Sequence, residues 1–267
     1  MTDAFVDDAL KGRVAFVAGG SSGINLAVAC RFASKGAKIM LISRSAERLV
    51  TAAETVSHAG GTVIYEAADV RDNVAVQCAL SKCHETFGPI DIVLSGAAGN
   101  FVAPVSQVSS NGFRTVVDID LFGTYNVLKH SYPYLRRPGA SLISITAPVA
   151  DKPMIGQAHA GAAKAGVNTL TKVLAAEWGC DGVRVNAISP GFIANTEGCA
   201  RLVGTPAREQ RLVGVIPMRE LGRASDIADL ALFLATEHAR YITGAVIDCD
   251  GGWLSDDLAR LSTDDPM

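Results

Sequence analysis

What the 267-residue chain lacks narrows its function first. It has no basic excess: 24 Lys and Arg stand against 27 Asp and Glu, for a formal net charge of −3. Nucleic acids and anionic membranes attract clustered positive charge, so neither is an expected partner. No apolar run approaches the roughly 20 residues that cross a bilayer, and no membrane insertion is expected. Residues 1–8 are acidic and fit neither a secretory signal nor a transit peptide. Thr263-Asp264-Asp265-Pro266-Met267 carries no receptor-read address such as a peroxisomal tripeptide. Of six scattered cysteines only Cys78 and Cys83 are close, and no histidine stands at metal-ligand spacing, so no metal site is expected. Most cysteines sit among apolar neighbours and read as small hydrophobes, which suits a reducing, cytoplasmic setting. Internal repeats, low-complexity tracts and linkers are also missing. One domain over residues 1–267 is the expectation, long enough to bury a sizeable core.

What is present is a strict alternation of two patterns. Short, continuous apolar runs rich in Val and Ile fall at 13–18, 38–43, 62–66, 91–95, 141–146, 184–188 and 245–249. Such runs suit parallel strands covered on both faces. Helical patterns lie between them at 22–35, 46–59, 73–87, 111–135, 157–178 and 226–236. The alternation predicts an α/β fold of the Rossmann type, a doubly wound parallel sheet with helices on both faces and ligands at the carboxyl ends of the strands. Residues 192–223 break the rhythm with Gly198, Gly204, Pro206, Gly214 and Pro217, and read as a lid of one or two short helices over those ends.

The first strand runs into Gly19-Gly20-Ser21-Ser22-Gly23-Ile24-Asn25 and then a helix. Glycine permits a tight turn and close approach, and a helix N-terminus favours an anion, with a diphosphate the usual guest. The second strand ends Ser43-Arg44-Ser45, with no carboxylate before Glu47. An arginine there offers charge-assisted donors to a 2′-phosphate, which favours NADP over NAD. Asp69 follows the third strand, either as an acceptor for the adenine amino group or as the N-cap of the helix from Asn73. The fourth strand ends in Ser95-Gly96-Ala97-Ala98-Gly99-Asn100, small enough for a flat cofactor to lie against the backbone.

Gly19-Gly20-Ser21-Ser22-Gly23-Ile24, Asp69-Val70, Ala97-Ala98-Gly99, Lys164, Arg184-Val185-Asn186, Pro190-Gly191 and Asp250-Gly251-Gly252 together resemble the short-chain dehydrogenase/reductase family over nearly the whole chain. The resemblance implies a seven-stranded sheet, a nicotinamide cofactor and a homotetramer. It assigns Gly19, Ser21, Ser22, Gly23, Ile24, Ser43, Arg44, Asp69, Val70, Ala97, Lys164, Pro190, Gly191, Ile193 and Thr196 to the cofactor. Lys164 would meet the nicotinamide ribose; the Ile193 backbone and Thr196 hydroxyl would hold the carboxamide. Most of the family also uses a Tyr four residues before the Lys, a Ser about thirteen before that, and an Asn on the preceding long helix. Here those positions hold Ala160, Ala147 and Asp120. Ketone reduction by the usual tyrosine is thereby excluded, since a methyl group moves no proton. One branch, the peroxisomal-type 2,4-dienoyl-CoA reductases, is similar in what it has and in what it lacks. The likeness lies in Ala97-Ala98-Gly99-Asn100-Phe101, Asp118-Ile119-Asp120, His159-Ala160-Gly161-Ala162-Ala163-Lys164, Ala176-Glu177-Trp178-Gly179 and Thr196-Glu197-Gly198.

In that chemistry hydride adds at the far end of a conjugated thioester, charge reaches the thioester oxygen, and the proton goes to carbon. An oxyanion stabiliser and an acid near carbon are needed. Phe113, Val116, Val117, Asp120 and Thr124 fall on one helical face, so Asp120 sits in an apolar stripe and requires a charged partner. Lys164 is the candidate, the two holding a water between them as acid, or else forming a buried pair that only positions two helices. His159 reads as a satisfied histidine or a proton donor. Asn100 and Phe101 lie near the nicotinamide or acyl chain, or form a loop with one buried aromatic. Arg201, Arg208 and Arg211 could meet coenzyme A phosphates or simply face solvent. Rivals to an NADPH-dependent dienoyl-thioester reductase are an oxidoreductase with another donor, such as His159, and a nucleotide-binding protein without catalysis. Asn25 replaces the family's last glycine, and weaker or shifted cofactor binding is the expectation.

Overall fold

The computed structural model describes residues 5–255. The expectation for the end of the chain, and part of that for its start, fall outside them. Seven strands, β1 (Val14–Ala18), β2 (Lys38–Ser43), β3 (Thr62–Ala67), β4 (Ile92–Ser95), β5 (Ser141–Ile145), β6 (Arg184–Pro190) and β7 (Val246–Cys249), form one parallel sheet. Their order is β3-β2-β1-β4-β5-β6-β7. Successive β1 side chains feed opposite faces: Ala15 and Val17 join one core cluster, Val14, Phe16 and Ala18 the other. That is why the strand reads as an unbroken apolar run rather than an alternating one.

α1 (Gly23–Ala33), α2 (Ala46–His58) and α9 (Ala224–Ala235) bury Phe32, Leu49 and Leu232 in the first cluster. α3 (Asn73–Phe87), α5 (Gly123–Ser131) and α6 (Ala158–Trp178) bury Leu80, Leu128 and Leu174 in the second. Burying one such side chain stabilises by about 1.5–3 kcal/mol relative to leaving it exposed. Chain order reverses at β1, with β2 on one side and β4 on the other. The crevice at the carboxyl ends of those strands is the expected ligand site.

The segment read as a helix at 111–135 is helical throughout 110–131 but not uniform. It divides into α4 (Ser110–Val117), one π-helical turn (Asp118–Phe122), α5 and a 3₁₀ turn holding Pro133 (Tyr132–Tyr134). Along the expected stripe Val116, Asp120 and Thr124 are buried across that turn, while Phe113, within α4 before it, is exposed. α3 is capped by Asp72, which accepts from the Val74 and Ala75 N–H groups, so Asp69 is not its N-cap. The 192–223 segment holds two short helices, α7 (Glu197–Val203) and α8 (Pro206–Val215). All six cysteines are free; Cys78 and Cys180 are exposed rather than packed, whereas burial pushes the Cys83 thiol up to about 12. Among the described residues no helix is long and apolar enough to cross a membrane, and no cluster of potential metal ligands occurs.

Candidate active site

A cavity of about 650 Å³ opens at the strand ends where the order reverses. Its wall takes Gly19 and residues 21–25 from the turn after β1, Ser43 and Arg44 after β2, Asp69 and Val70 after β3, residues 96–102 after β4, and residues 195–198, 201 and 202. Gly19 has φ +77°, and a Cβ there would stand 2.8 Å from the Ala97 backbone, so the two turns touch and only glycine fits. The Gly19 and Gly20 N–H groups donate to the Ile42 carbonyl at 2.9 and 3.2 Å, which anchors the turn to β2. Anion donors therefore fall to residues 21–24. Ser22, at the N-cap of α1, makes no side-chain cap bond, and the first turn carries no acidic residue. The N-terminal N–H groups and the dipole are left for an anionic ligand.

Asp69 accepts from Arg71 three times through side-chain nitrogens (2.6, 3.0 and 3.1 Å) and once from its N–H (2.9 Å). The Arg71 hydrogen bonds hold the Asp69 carboxyl below the usual carboxylate range, against partial desolvation, with Arg44 adding a weaker push the same way. Ser43 and Arg44 stand nearby at the end of β2. The donor set fits a dinucleotide: an uncapped helix N-terminus, a glycine cradle that a Cβ would fill, and an arginine at the end of β2.

The turn after β4 meets the buried ion pair. Lys164 Nζ lies 3.2 Å from Asp120 Oδ2 and donates to the Ile145 carbonyl at 3.0 Å. Asp120 Oδ1 accepts from the Gly99 N–H at 2.7 Å. Asp120 is 1% and Lys164 6% exposed, so each removes the need for the other's charge to face water. The direct contact corrects the expectation of a water between them; a water can be held only beside the pair. Asp120 and Lys164 stand behind the cavity wall, and their backbone partners Gly99 and Ile145 line it. The Thr124 hydroxyl donates to the Asp120 carbonyl at 2.8 Å and closes the π-helical turn.

His159 is wholly buried and stacks on Phe101, ring centroids 4.2 Å apart. Its Nε2 lies 3.0 Å from the Phe101 carbonyl oxygen, which only accepts, so Nε2 carries the proton and holds the loop. Gln157, which sequence reasoning did not single out, donates to the same oxygen at 2.9 Å and accepts from Asn100 Nδ2 at 2.6 Å. Arg201 donates to the Asn100 carbonyl at 3.2 Å, linking α7 to this loop. Arg208 and Arg211 lie on α8, outside the lining residues.

Thr196 donates to the Ile193 carbonyl (2.7 Å) and accepts from the Cys199 N–H (3.2 Å). The hydroxyl expected to hold a carboxamide is thus engaged as the N-cap of α7, although Thr196 still lines the cavity. Ile193 is buried and pairs with Gly222. Pro190 and Gly191 do not line the cavity; a Cβ on Gly191 would come within 2.6 Å of Asp250 Cα, so its small size serves backbone approach.

Strand order, glycine turn and cavity define a Rossmann-type dinucleotide-binding protein. Residues 18–254 match the family model described as Enoyl-(Acyl carrier protein) reductase. The peroxisomal 2,4-dienoyl-CoA reductase [(3E)-enoyl-CoA-producing] of Pongo abelii is 41% identical over 254 residues, 94% of this chain and 87% of that one. A Saccharomyces cerevisiae protein, also named a peroxisomal 2,4-dienoyl-CoA reductase, is 39% identical, covering 92% of this chain and 85% of its own. A crystal structure of a short chain dehydrogenase from Bacillus anthracis is 35% identical with TM-score 0.83, covering 92% of this chain and 98% of that one. The chain belongs to the short-chain dehydrogenase/reductase family, whose cofactor is a nicotinamide dinucleotide.

Proposed function

We propose that the protein is an NADPH-dependent reductase of a conjugated 2,4-dienoyl thioester, with acyl-CoA as substrate. The observation that carries this reading is the buried Asp120–Lys164 pair in a chain with Ala160 and Ala147 at the sequence positions of the usual Tyr and Ser. The names of its relatives support it. Residues 21–24 would hold the diphosphate and Ser43 and Arg44 the 2′-phosphate. Asp69 and Val70 would flank the adenine, and Ala97 and Gly99 the nicotinamide side. The bound dinucleotide would supply hydride to the far end of the diene.

The chain's own part is the proton and the water-free setting. Lys164 has three N–H donors and directs two to Asp120 and Ile145, leaving the third for a ribose hydroxyl or a water at the wall. Asp120 keeps that lysine oriented. A water held by the pair delivers the proton to the α carbon of the dienolate, which leaves the double bond at carbon 3, as in the (3E)-enoyl product that the relatives' names give. Asn100 and Phe101 form the wall nearest the acyl thioester, held by Gln157 and His159. A second, apolar hollow of about 480 Å³, lined by Val105, Val149, Met154 and Ile155 among others, borders Gln157 and would take the acyl tail. Residues 192–223 act as the lid, with Arg201 facing coenzyme A phosphates. Exposed Phe113, Phe122 and Tyr125 on the α4–α5 segment suit burial in a homotetramer. Six free cysteines suit a reducing compartment, and we assign the cytoplasm.

Mixing protein, NADPH and a 2,4-dienoyl-CoA, and following both chromophores, tests the proposal. Loss of both, with a 3-enoyl product by NMR, is the expected result. A 2-enoyl product would move protonation to the γ carbon. Consumption only on 3-ketoacyl thioesters, or NADPH binding without turnover on any acyl thioester, overturns it.

A further inference from the structure

Asn25 stands where the family's turn has its last glycine, and the residue is 8% exposed between two cofactor-side turns. Its Nδ2 donates to the Gly96 carbonyl at 2.8 Å and to the Gly19 carbonyl at 3.2 Å. Both partners are carbonyl oxygens, so the nitrogen must face them, and Oδ1 is left buried with no partner among the described residues. One amide group therefore ties the turn after β1 to the turn after β4.

The stitch has a steric counterpart. A Cβ built on Gly96 would lie 2.1 Å from Asn25 Oδ1 and 2.6 Å from its Cγ. Any side chain at 96 would expel the amide, so the asparagine requires this glycine. We infer that Asn25 and Gly96 are a matched pair that fixes the spacing of the two turns and thereby positions the dinucleotide. Asn25 is a positioning residue: it strengthens the site where loss of the glycine alone predicts weakening. The inference rests on the nucleotide reading for its functional part, while the pairing itself does not.

A double-mutant cycle tests it, using Asn25→Ala, Gly96→Ala and the double variant of the full chain. Thermal midpoint and NADPH Kd by fluorescence are measured for each. Asn25→Ala should raise the Kd about tenfold, equivalent to ~1.4 kcal/mol, and raise the NADPH KM by more than it lowers kcat. Gly96→Ala alone should lower the midpoint and raise the Kd; in the Asn25→Ala background it should add little to either. Asn25→Asp, which cannot donate, should be at least as harmful as Asn25→Ala. Equal effects of Gly96→Ala in both backgrounds, or an unchanged Kd in Asn25→Ala, would overturn the inference. If the unmutated protein binds neither NADPH nor NADH, the nucleotide reading fails, and with it the positioning role. The midpoint cycle then still decides the pairing.

Discussion

Asp120 and Lys164 each answer a problem created by the other. A carboxylate 1% exposed cannot stay charged without a partner, and a lysine 6% exposed has the same need. Asp120→Asn keeps the shape and removes the charge. Single-turnover reduction should fall about 10²- to 10⁴-fold, the usual contribution of a placed proton donor, with NADPH affinity nearly unchanged. Unimpaired turnover would shift the proton to another group. Either substitution strands the lysine charge; Asp120→Ala also removes the acceptor of the Gly99 N–H and should destabilise the fold by about 3–5 kcal/mol, read from denaturant midpoints. Arg44→Ala removes charge-assisted donors worth about 1.5–3 kcal/mol, so the NADPH KM should rise roughly 10- to 100-fold while that for NADH holds. The need of Asp120 for a partner was legible, because an acidic residue within an apolar helical pattern demands one. Gln157 was not: a glutamine at a helix start has no pattern that announces the loop it will hold. Nor was the part played by Asn25, since its two carbonyl partners are set by the packing of separate strand ends.

At the scale of elements, the strands were readable almost to the residue and the long helix was readable except for the π-helical turn inside it. A strand buried on both faces writes its burial into every position. A helix shows only its average period, and 111–135 keeps a roughly helical period on both sides of a π-helical turn. The 192–223 segment was legible as an irregularity, but its fastening was not. Glu197 at the start of α7 accepts from Arg48 of α2 at 2.6 Å, which bridges the mouth of the cavity. That hydrogen bond, aided by the arginine's charge, holds the Glu197 carboxyl below its ordinary range. The folded value lies below the unfolded one, so the tether stabilises above the ordinary carboxylate range and is lost as pH falls through the lowered value. Both side chains are more than half exposed, so the stabilisation is at most about 1 kcal/mol. The melting difference between the unmutated protein and Glu197→Gln should be at most about 2–4 °C at pH 7. It should shrink in 1 M salt and close as pH falls through the lowered Glu197 value. A difference that grows on acidification would contradict the tether.

The molecule as a whole separates two jobs. The sheet supplies rigidity, with Phe16, Met40 and Val93 in register across its centre and fully buried. The cavity lies at the carboxyl edge, where the turns after β1 and β4 meet the helices that carry Asp120 and Lys164. Only backbone N–H groups, glycine contacts and a few polar side chains meet there, so a dinucleotide entering the crevice touches the turns after β1, β2, β3 and β4 at once. It therefore binds the folded chain and has no counterpart in the unfolded one. This coupling makes nucleotide binding measurable without any reaction. At 100 times its Kd a ligand stabilises the native state by about 2.7 kcal/mol. For a chain of this size that corresponds to a rise in thermal midpoint of roughly 5–10 °C. NADPH should give that rise, and NADH at the same concentration a smaller one, because only the former carries the 2′-phosphate for which Arg44 is proposed. Arg44→Ala should bring the two shifts together while leaving the ligand-free midpoint within about 1–2 °C, since surface substitutions away from the core change stability by under ~0.5 kcal/mol. Equal shifts from both nucleotides in the unmutated protein would remove the case for NADP while leaving the crevice as the dinucleotide site. Absence of any shift would show that the four turns do not act together on a nucleotide.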